Sequence, residues 1–442
     1  MGNAIGLRLE DKNPWERRVA LSPSDVRDLI AQGIDVRVER FPRRTFADAD
    51  YAAANGSLVD DVRDCGVVLG IKEMPLGYFR RGGAYMMFSH TIKGQPYNME
   101  MLRELVDKGC TLLDYEIVTD DDGRRLIFFG RYAGLAGMID TFWTLGRRLD
   151  ALGIRSAFSA ISPAHAYADL GAAKAAVAEL GRRVAALGVP REIAPAAFGF
   201  TGYGHVSQGA QEIFDLVPHV EVAPAELAAF LSRNGALADR LVKTVYKEAD
   251  LVAPRDPARA FDLQHYYGHG EAYVSAFAPH LELLTAIVNG IYWDARYPKL
   301  ATRDQLRTLF AGPARPRLVA IGDISCDVGG ALECTVRDTN PGDPTYVFDP
   351  ATGAAPSGFD GPGIAVMAVG NLPCELPRES SSAFAAALRP FIPALAEVDL
   401  DGDFDAARLP DPIRRSVILW RGGFTPRYEH MRTFLHETRS GE

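Results

Sequence analysis

Short apolar runs alternate with amphipathic stretches through the first 130 residues, and few folds accept that alternation. The runs are "AIGLRL" (4–9), "DVRVE" (35–39), "VVLGIK" (67–72), "AYMMFS" (84–89), "CTLLDYE" (110–116) and "RLIFFG" (125–130). Each has the length of a buried strand. Between several of them lies a helical pattern such as "SPSDVRDLIAQG" (22–33), where Ser22 can cap, Pro23 can open the first turn and Gly33 can end the helix. Strands alternating with helices predict a parallel α/β sheet.

A second unit of the same kind follows. "AGLAGMIDTFWTLGRRLDALG" (133–153) and "AAKAAVAELGRRVAALG" (172–188) have helical spacing, the second interrupted by Gly181. A strand, a glycine turn and a helix come next, and apolar runs at 317–322 and 364–369 continue the pattern. Residues 338–363 are dense in Pro, Gly and Asp and predict a surface loop or hairpin. The helical stretch from 377 can pack back on the first unit. A chain of 442 residues is too long for one core and fits two domains.

Ligands of open parallel sheets gather beyond the carboxyl ends of the strands. Here those ends are charged. The run at 67–72 delivers Lys72 and then Glu73; the run at 84–89 is followed by His90 and Lys93; the run at 110–116 ends in Glu116; Arg131 follows the run at 125–130. Asp323 holds the same kind of position after 317–322. Singly, each has a plain reading: solvated charges leaving a strand, a structural histidine, a helix cap. Together, a lysine, a histidine, a glutamate and an arginine on one edge suit proton transfer and carboxylate binding. Arg124 and Arg125, after "DDDG", look like an exposed hairpin.

The glycine turn is "TGYGHVSQGA" (201–210). Gly202 and Gly204 occupy G-x-G positions, Ser207 stands where a third glycine is usual, and Gly209 comes two residues later. A tight turn, bare backbone and a helix N-terminus are what a pyrophosphate requires. The alternative is an ordinary strand–helix turn. The next strand, "HVEV" (219–222), ends without the acid that binds ribose hydroxyls in NAD enzymes, which leans toward NADP, although no arginine follows closely.

Other chemistries find no support. Net charge is −9 and no block is basic enough for nucleic acid. The five cysteines are scattered without metal-ligand spacing, as expected of reduced thiols in a cytoplasmic protein. Nothing looks like a signal peptide or a membrane span. The hydrolase, zinc-protease and phosphate-loop motifs are missing. His265 and His269 are four apart, but Gly268 and Gly270 argue against a helical metal site.

The segments "EDKNPWERRVALSP", "LGIKEMP", "FSHTIKGQPYNMEML", "LLDYE", "FGRYAGLAGMID", "FTGYGHVSQGAQEIF", "NGIYWDARYPKL", "IGDISCDVGGALE" and "NLPCELPRESS" together resemble the lysine–ketoglutarate reductase domain of aminoadipic semialdehyde synthase, over about residues 4 to 400. That domain belongs with saccharopine dehydrogenase and, more distantly, alanine dehydrogenase. The resemblance implies two Rossmann-like parallel-sheet domains with a cleft between them, the first completed by the C-terminal segment. Residues 1–135 with 375–442 would form the substrate domain and 136–374 the dinucleotide-binding domain. It implies NADPH-dependent joining of the ε-amine of lysine to 2-oxoglutarate, giving saccharopine, or the reverse reaction with NAD.

Carried over by motif, the resemblance makes Lys72 and His90 the acid–base pair. Arg18 becomes a substrate carboxylate ligand and Arg125, of the "GRR" turn, another. Glu73 and Glu116 fall on the family's active-site glutamates, and Asp323 and Asn371 on nicotinamide-side positions. The glycine loop, Gly202 to Ser207 with Tyr203, Gly204, His205 and Val206 between, would take the cofactor. Two departures stand out. Tyr203 and His205 replace the small residue and the asparagine usual in that loop. No saccharopine-cleaving domain follows, so the amine donor can differ from lysine. A related oxidoreductase acting on another amino acid or a polyamine, and a non-catalytic NADP(H)-binding sensor, are the competing readings. Oligomeric state is not legible.

Overall fold

A computed structural model describes residues 2–437 and divides the chain into two compact units, one running through Phe129 and resuming at Pro377, the other spanning Gly130–Leu376. The C-terminal segment thus completes the first unit, as the fold class anticipated.

The first unit is built on an eight-stranded sheet. Six parallel strands come from the N-terminal part: β1 (Ile5–Leu7), β2 (Val36–Glu39), β3 (Ser57–Val59), β4 (Val67–Leu69), β5 (Ala84–Met87) and β6 (Thr111–Asp114). Their spatial order is β3-β2-β1-β4-β5-β6, the doubly wound order, with the direction of winding reversing between β1 and β4. Two strands from the C-terminal segment, Val417–Trp420 and Gly423–Phe424, extend the sheet antiparallel beyond β6. Helices α1 (Pro23–Ala31), α2 (Asp48–Ala53) and α3 (Pro96–Asp107) lie between strands. Helix α1 starts as its sequence predicts, with Ser22 and Asp25 in a reciprocal capping box and Pro23 at the first position.

In the second unit, α4 (Gly130–Ala151) and α5 (Leu170–Leu187) precede β7 (Ala197–Thr201) and α6 (His205–Phe214). The strands that follow are β8 (His219–Glu221), β9 (Leu241–Tyr246), the antiparallel pair β10 (Val252–Pro254) and β11 (Tyr273–Ser275), β12 (Ala286–Asn289), β13 (Ala320–Asp323), β14 (Thr345–Phe348) and β15 (Ile364–Met367). The main sheet runs β14-β15-β13-β12-β7-β9-β8, parallel except for β14. The Pro/Gly-rich stretch at 338–363 therefore contains a strand that forms a hairpin with β15.

Gly181 leaves α5 unbroken, because it provides close approach rather than a stop: a Cβ there would sit 2.8 Å from the Leu216 carbonyl oxygen. Helices α4 and α6 pack just as closely through Gly134 and Gly209. A Cβ on Gly134 would overlap the Val206 carbonyl, and one on Gly209 the Arg131 carbonyl.

One expected strand is absent. Residues 125–130 form no strand; Arg125 makes only an isolated bridge to Thr119 around the Asp120–Gly123 turn. Phe129 instead stacks on Phe384 (centroids 4.8 Å apart) and lies under the Arg18 guanidinium at 4.3 Å. The side chains are spent on packing and the chain passes straight into α4. Arg131 is accordingly the second residue of that helix rather than a strand end. Among the described residues no helix is long and apolar enough to cross a membrane.

Candidate active site

The winding of the first sheet reverses between β1 and β4, and the chain leaving those two strands carries Glu10 and Lys72. Both oxygens of the Glu10 carboxyl are engaged: Oε1 accepts the Ile71 N–H at 2.5 Å and Oε2 the Lys72 N–H at 3.1 Å. Glu10 thus holds the backbone from which the lysine projects. Burial, and then the nearby Glu16 charge, push the Glu10 carboxyl up to about 8.

Glu73 and His90 leave adjacent strands and meet. His90 Nδ1 lies 2.8 Å from Glu73 Oε1. Burial alone would raise the Glu73 carboxyl, but the hydrogen bond from His90 and its charge outweigh that and bring Glu73 down to about 2. An ionised carboxylate only accepts, so Nδ1 carries the proton and Nε2 is the exchangeable nitrogen. Asn98 of α3 donates to the Ser89 carbonyl at 2.9 Å and reaches the same Glu73 oxygen at 3.4 Å; Lys12 is 3.8 Å from it. The other oxygen, Oε2, is buried without a hydrogen-bond partner among the described residues. His90 has φ +49, a left-handed conformation uncommon for a side-chain-bearing residue and one that clusters at functional sites.

Asp114, at the end of β6, fixes both flanks. Its Oδ2 accepts the Ser89 N–H at 3.0 Å and its Oδ1 the Glu116 N–H at 2.7 Å. Burial raises its carboxyl to about 6. Glu116 in turn accepts from Arg125 at 2.5 Å. Arg18 is buried in a forked pair with Glu16, two bonds of 2.7 Å. Lys93 is exposed in the turn between His90 and α3. Beside Glu73 opens a cavity of about 330 Å³ that Asp11, Lys12, Tyr97, Asn98 and Glu100 help to line.

In the second unit, Gly202 has φ +84, which only glycine adopts readily, and Gly204 caps α6 with its Cα facing space: a Cβ there would meet nothing within 4 Å. This is bare backbone in front of a helix N-terminus, and it fits a pyrophosphate. Tyr203 and His205 are exposed beside it, whereas Ser207 is buried and its hydroxyl accepts from Gln211. Val206 is half-buried, and its β-carbon face packs toward Gly290. At the neighbouring strand ends Thr201 donates to Asn289 (2.6 Å), and Asn289 donates to the fully buried Asp323 (2.8 Å), whose carboxyl is raised by that burial. Asn371 opens the short helix that follows β15. Arg131 is forked onto Glu212 of α6 at 2.7–3.0 Å.

The structure therefore brings Lys72, Glu73 and His90 to one sheet edge, with Glu116 and Arg125 paired nearby. It assigns Arg131 to the second unit. Glu10, Asp114 and Asn98 are the residues that sequence reading missed. All three lie inside quoted segments, Glu10 in "EDKNPWERRVALSP", Asn98 in "FSHTIKGQPYNMEML" and Asp114 in "LLDYE"; a further signal was that Glu10 follows β1 as Lys72 follows β4.

Two family models match: alanine dehydrogenase/PNT, N-terminal domain, over residues 6–136, and alanine dehydrogenase/PNT, C-terminal domain, over 283–426. The chain is 37% identical to an alpha-aminoadipic semialdehyde synthase of Arabidopsis thaliana and 34% to the mitochondrial one of Bos taurus, in both cases over 98% of its own length. It spans less than half of those relatives, 41% and 48%. It is 30% identical to a saccharopine dehydrogenase [NAD(+), L-lysine-forming] of Emericella nidulans, over 88% of the chain and 91% of that protein. An L-alanine dehydrogenase structure superimposes with a TM-score of 0.63 over 98% of this chain and 99% of the other at 18% identity, which speaks for the fold alone.

Proposed function

Because the chain belongs to the alanine dehydrogenase/PNT family, on the branch of aminoadipic semialdehyde synthase and saccharopine dehydrogenase, we propose that it is a nicotinamide-dependent oxidoreductase that condenses the amine of an amino acid with 2-oxoglutarate and reduces the resulting imine, or runs the reverse. Lysine is the proposed amine, saccharopine the product, and NADP(H) the favoured cofactor, with NAD(H) possible.

The observation that carries this reading is the Glu73–His90 pair beside Lys72 at the switch point of the first sheet. Condensation needs a neutral amine, a proton for the departing carbinolamine hydroxyl and removal of a proton from nitrogen. His90 Nε2, opposite the nitrogen held by Glu73, can take the proton from the incoming ammonium. Lys72, positioned through its own backbone by Glu10, can return a proton to the hydroxyl as water leaves. Such positioned groups are typically worth about 10²–10⁴-fold in rate. Bound nicotinamide would supply or accept the hydride. The loop Gly202–Ser207 would hold its pyrophosphate, and the Asp323 and Asn371 strand ends its nicotinamide side.

The cavity beside Glu73 supports an amino-acid donor. Asp11, Glu73 and Glu100 offer carboxylates for an ammonium, and Lys12 a cation for a carboxylate. Arg18 and Arg125 are the proposed ligands of the keto-acid carboxylates, by forked hydrogen bonds; each would exchange part of its bonding with Glu16 or Glu116 for substrate.

The test is oxidation of NADPH by the purified chain with 2-oxoglutarate and a panel of amines. Turnover is expected with lysine. Turnover with a different amine would replace the substrate, and none with any amine and keto acid would overturn the enzymatic reading.

A further inference from the structure

Two buried carboxyls of the second unit have no part in the chemistry above. Asp140 lies on α4, and Glu375 ends the short helix Leu372–Glu375. Asp140 Oδ1 accepts the Ala164 N–H at 2.8 Å. Glu375 Oε2 accepts twice from His165, the backbone N–H at 3.2 Å and Nδ1–H at 2.9 Å. One oxygen of each carboxyl remains, Asp140 Oδ2 and Glu375 Oε1, and neither meets a donor among the described residues. The two carboxyls are themselves within hydrogen-bond reach. Two carboxylates cannot bond to each other, whereas one proton between them satisfies both remaining oxygens. That proton belongs on Asp140, because the two donors from His165 favour the charged form of Glu375. Burial, and then the Glu375 charge, raise the Asp140 carboxyl well above its ordinary range.

The neighbouring charges are turned elsewhere. On α4, Arg148 donates to the carbonyls of Phe359, Gly361 and Gly363, Arg147 pairs with Asp150, and Arg131 pairs with Glu212 of α6. Asp323, at the end of β13, is bonded to Asn289 and Thr335. His205, at the start of α6, is exposed.

What the carboxyl pair holds is the turn that carries Asn371. Gly137 and Asp140 lie one turn apart on one face of α4. Gly137 receives Leu372, whose Cδ1 would stand 3.1 Å from an added Cβ. Asp140 receives Glu375. At the other end of the segment the Gly370 N–H donates to the Thr339 carbonyl at 3.1 Å, and within it the Cys374 N–H returns to the Asn371 carbonyl at 3.0 Å. Asn371 therefore sits in a turn pinned at both ends, and the pin at Glu375 depends on a single proton.

Resting on the nicotinamide-dependent reading above, we propose that Asp140 and Glu375 are positioning residues: the one proton they share holds the turn Gly370–Glu375, and with it Asn371, in place for the nicotinamide. Burial favours the protonated pair in the folded chain, so this hold is fully present below the ordinary carboxyl range. It is lost as pH rises through the raised value of the pair. Without the proton, two buried carboxylates face each other and the turn loosens.

The test is titration of the full chain with NADPH across about pH 6 to 9.5, followed by the fluorescence of the reduced cofactor, with a thermal melt on each preparation. Wild-type affinity is expected to fall at least fivefold toward the alkaline end. In Asp140→Asn the amide donates to Glu375 permanently and its oxygen still accepts from Ala164. Its affinity at neutral pH is expected to stay within threefold of wild type, and the alkaline loss to disappear. Asp140→Leu removes the donor and is expected to weaken NADPH at least tenfold at neutral pH; should it not fold, the wild-type and Asp140→Asn profiles decide alone. A flat wild-type profile, an Asp140→Asn profile that falls as the wild type does, or an Asp140→Asn loss at neutral pH of tenfold or more would overturn the assignment while leaving the dehydrogenase reading in place. A wild type that binds NADPH at no pH would overturn that reading itself.

Discussion

Glu73 Oε1 and His90 Nδ1 lie 2.8 Å apart, and that hydrogen bond ties the ends of two adjacent parallel strands into one ionisable unit. Burial alone would raise the Glu73 carboxyl, but the hydrogen bond and charge of His90 bring it down to about 2, so it stays a charged acceptor across the working range. Glu73→Gln replaces that acceptor with a neutral amide that holds the imidazole less firmly. The variant is expected to lose at least tenfold in kcat while NADPH affinity changes little. Turnover measured beside cofactor titration checks this; wild-type turnover would detach Glu73 from the proton chemistry.

Glu10 has a stability signature. Its folded pKa is raised to about 8 from an ordinary carboxyl value near 4.5, so folding favours its protonated form. The contribution is fully present below about 4.5 and is lost as pH rises through about 8. Denaturant unfolding should show wild-type stability declining over that window, and Glu10→Gln should flatten the decline. The amide cannot accept both backbone N–H groups, so the same variant should also lower kcat with little change in cofactor affinity. A pH dependence identical to wild type would refute the linkage.

The two glycines of the turn should respond differently to alanine. At Gly204 the backbone is extended and a Cβ enters open space, so Gly204→Ala should change stability by less than about 1 kcal/mol. The methyl would stand where the pyrophosphate is proposed to lie, and NADPH affinity should fall at least tenfold. Thermal melts alongside cofactor titration separate the effects; unaltered affinity would remove the loop from the cofactor site.

Gly209 is a packing residue. Its added Cβ would overlap the Arg131 carbonyl on α4, a backbone atom that cannot swing away. Gly209→Ala should cost about 1–3 kcal/mol, within the range of overpacked cores. A midpoint in urea equal to wild type would show that α4 and α6 are less tightly apposed.

Much of this architecture was legible in the chain. The apolar runs that became β1, β2, β4, β5 and β6 are short and bounded by helical patterns, so strand and helix could be told apart locally. The charged ends of β4 and β5 followed from the same reading. What failed was non-local. The run at 125–130 has a strand's composition, but the Phe129 ring is taken up by Phe384 and Arg18, partners distant in sequence. Glu10 looks like one charge among many until the fold sets it against Ile71 and Lys72, more than 60 residues on. The insertion of β9 between β7 and β8 has no local signature either.

The claim on which the rest depends is that Lys72 and His90 move the protons of the condensation. The most direct measurement is turnover of Lys72→Met and His90→Gln with 2-oxoglutarate and the best amine, beside NADPH affinity on the same preparations. In each variant kcat is expected to fall about 10²–10⁴-fold, with NADPH affinity within about threefold of wild type. Wild-type turnover in both variants would contradict it.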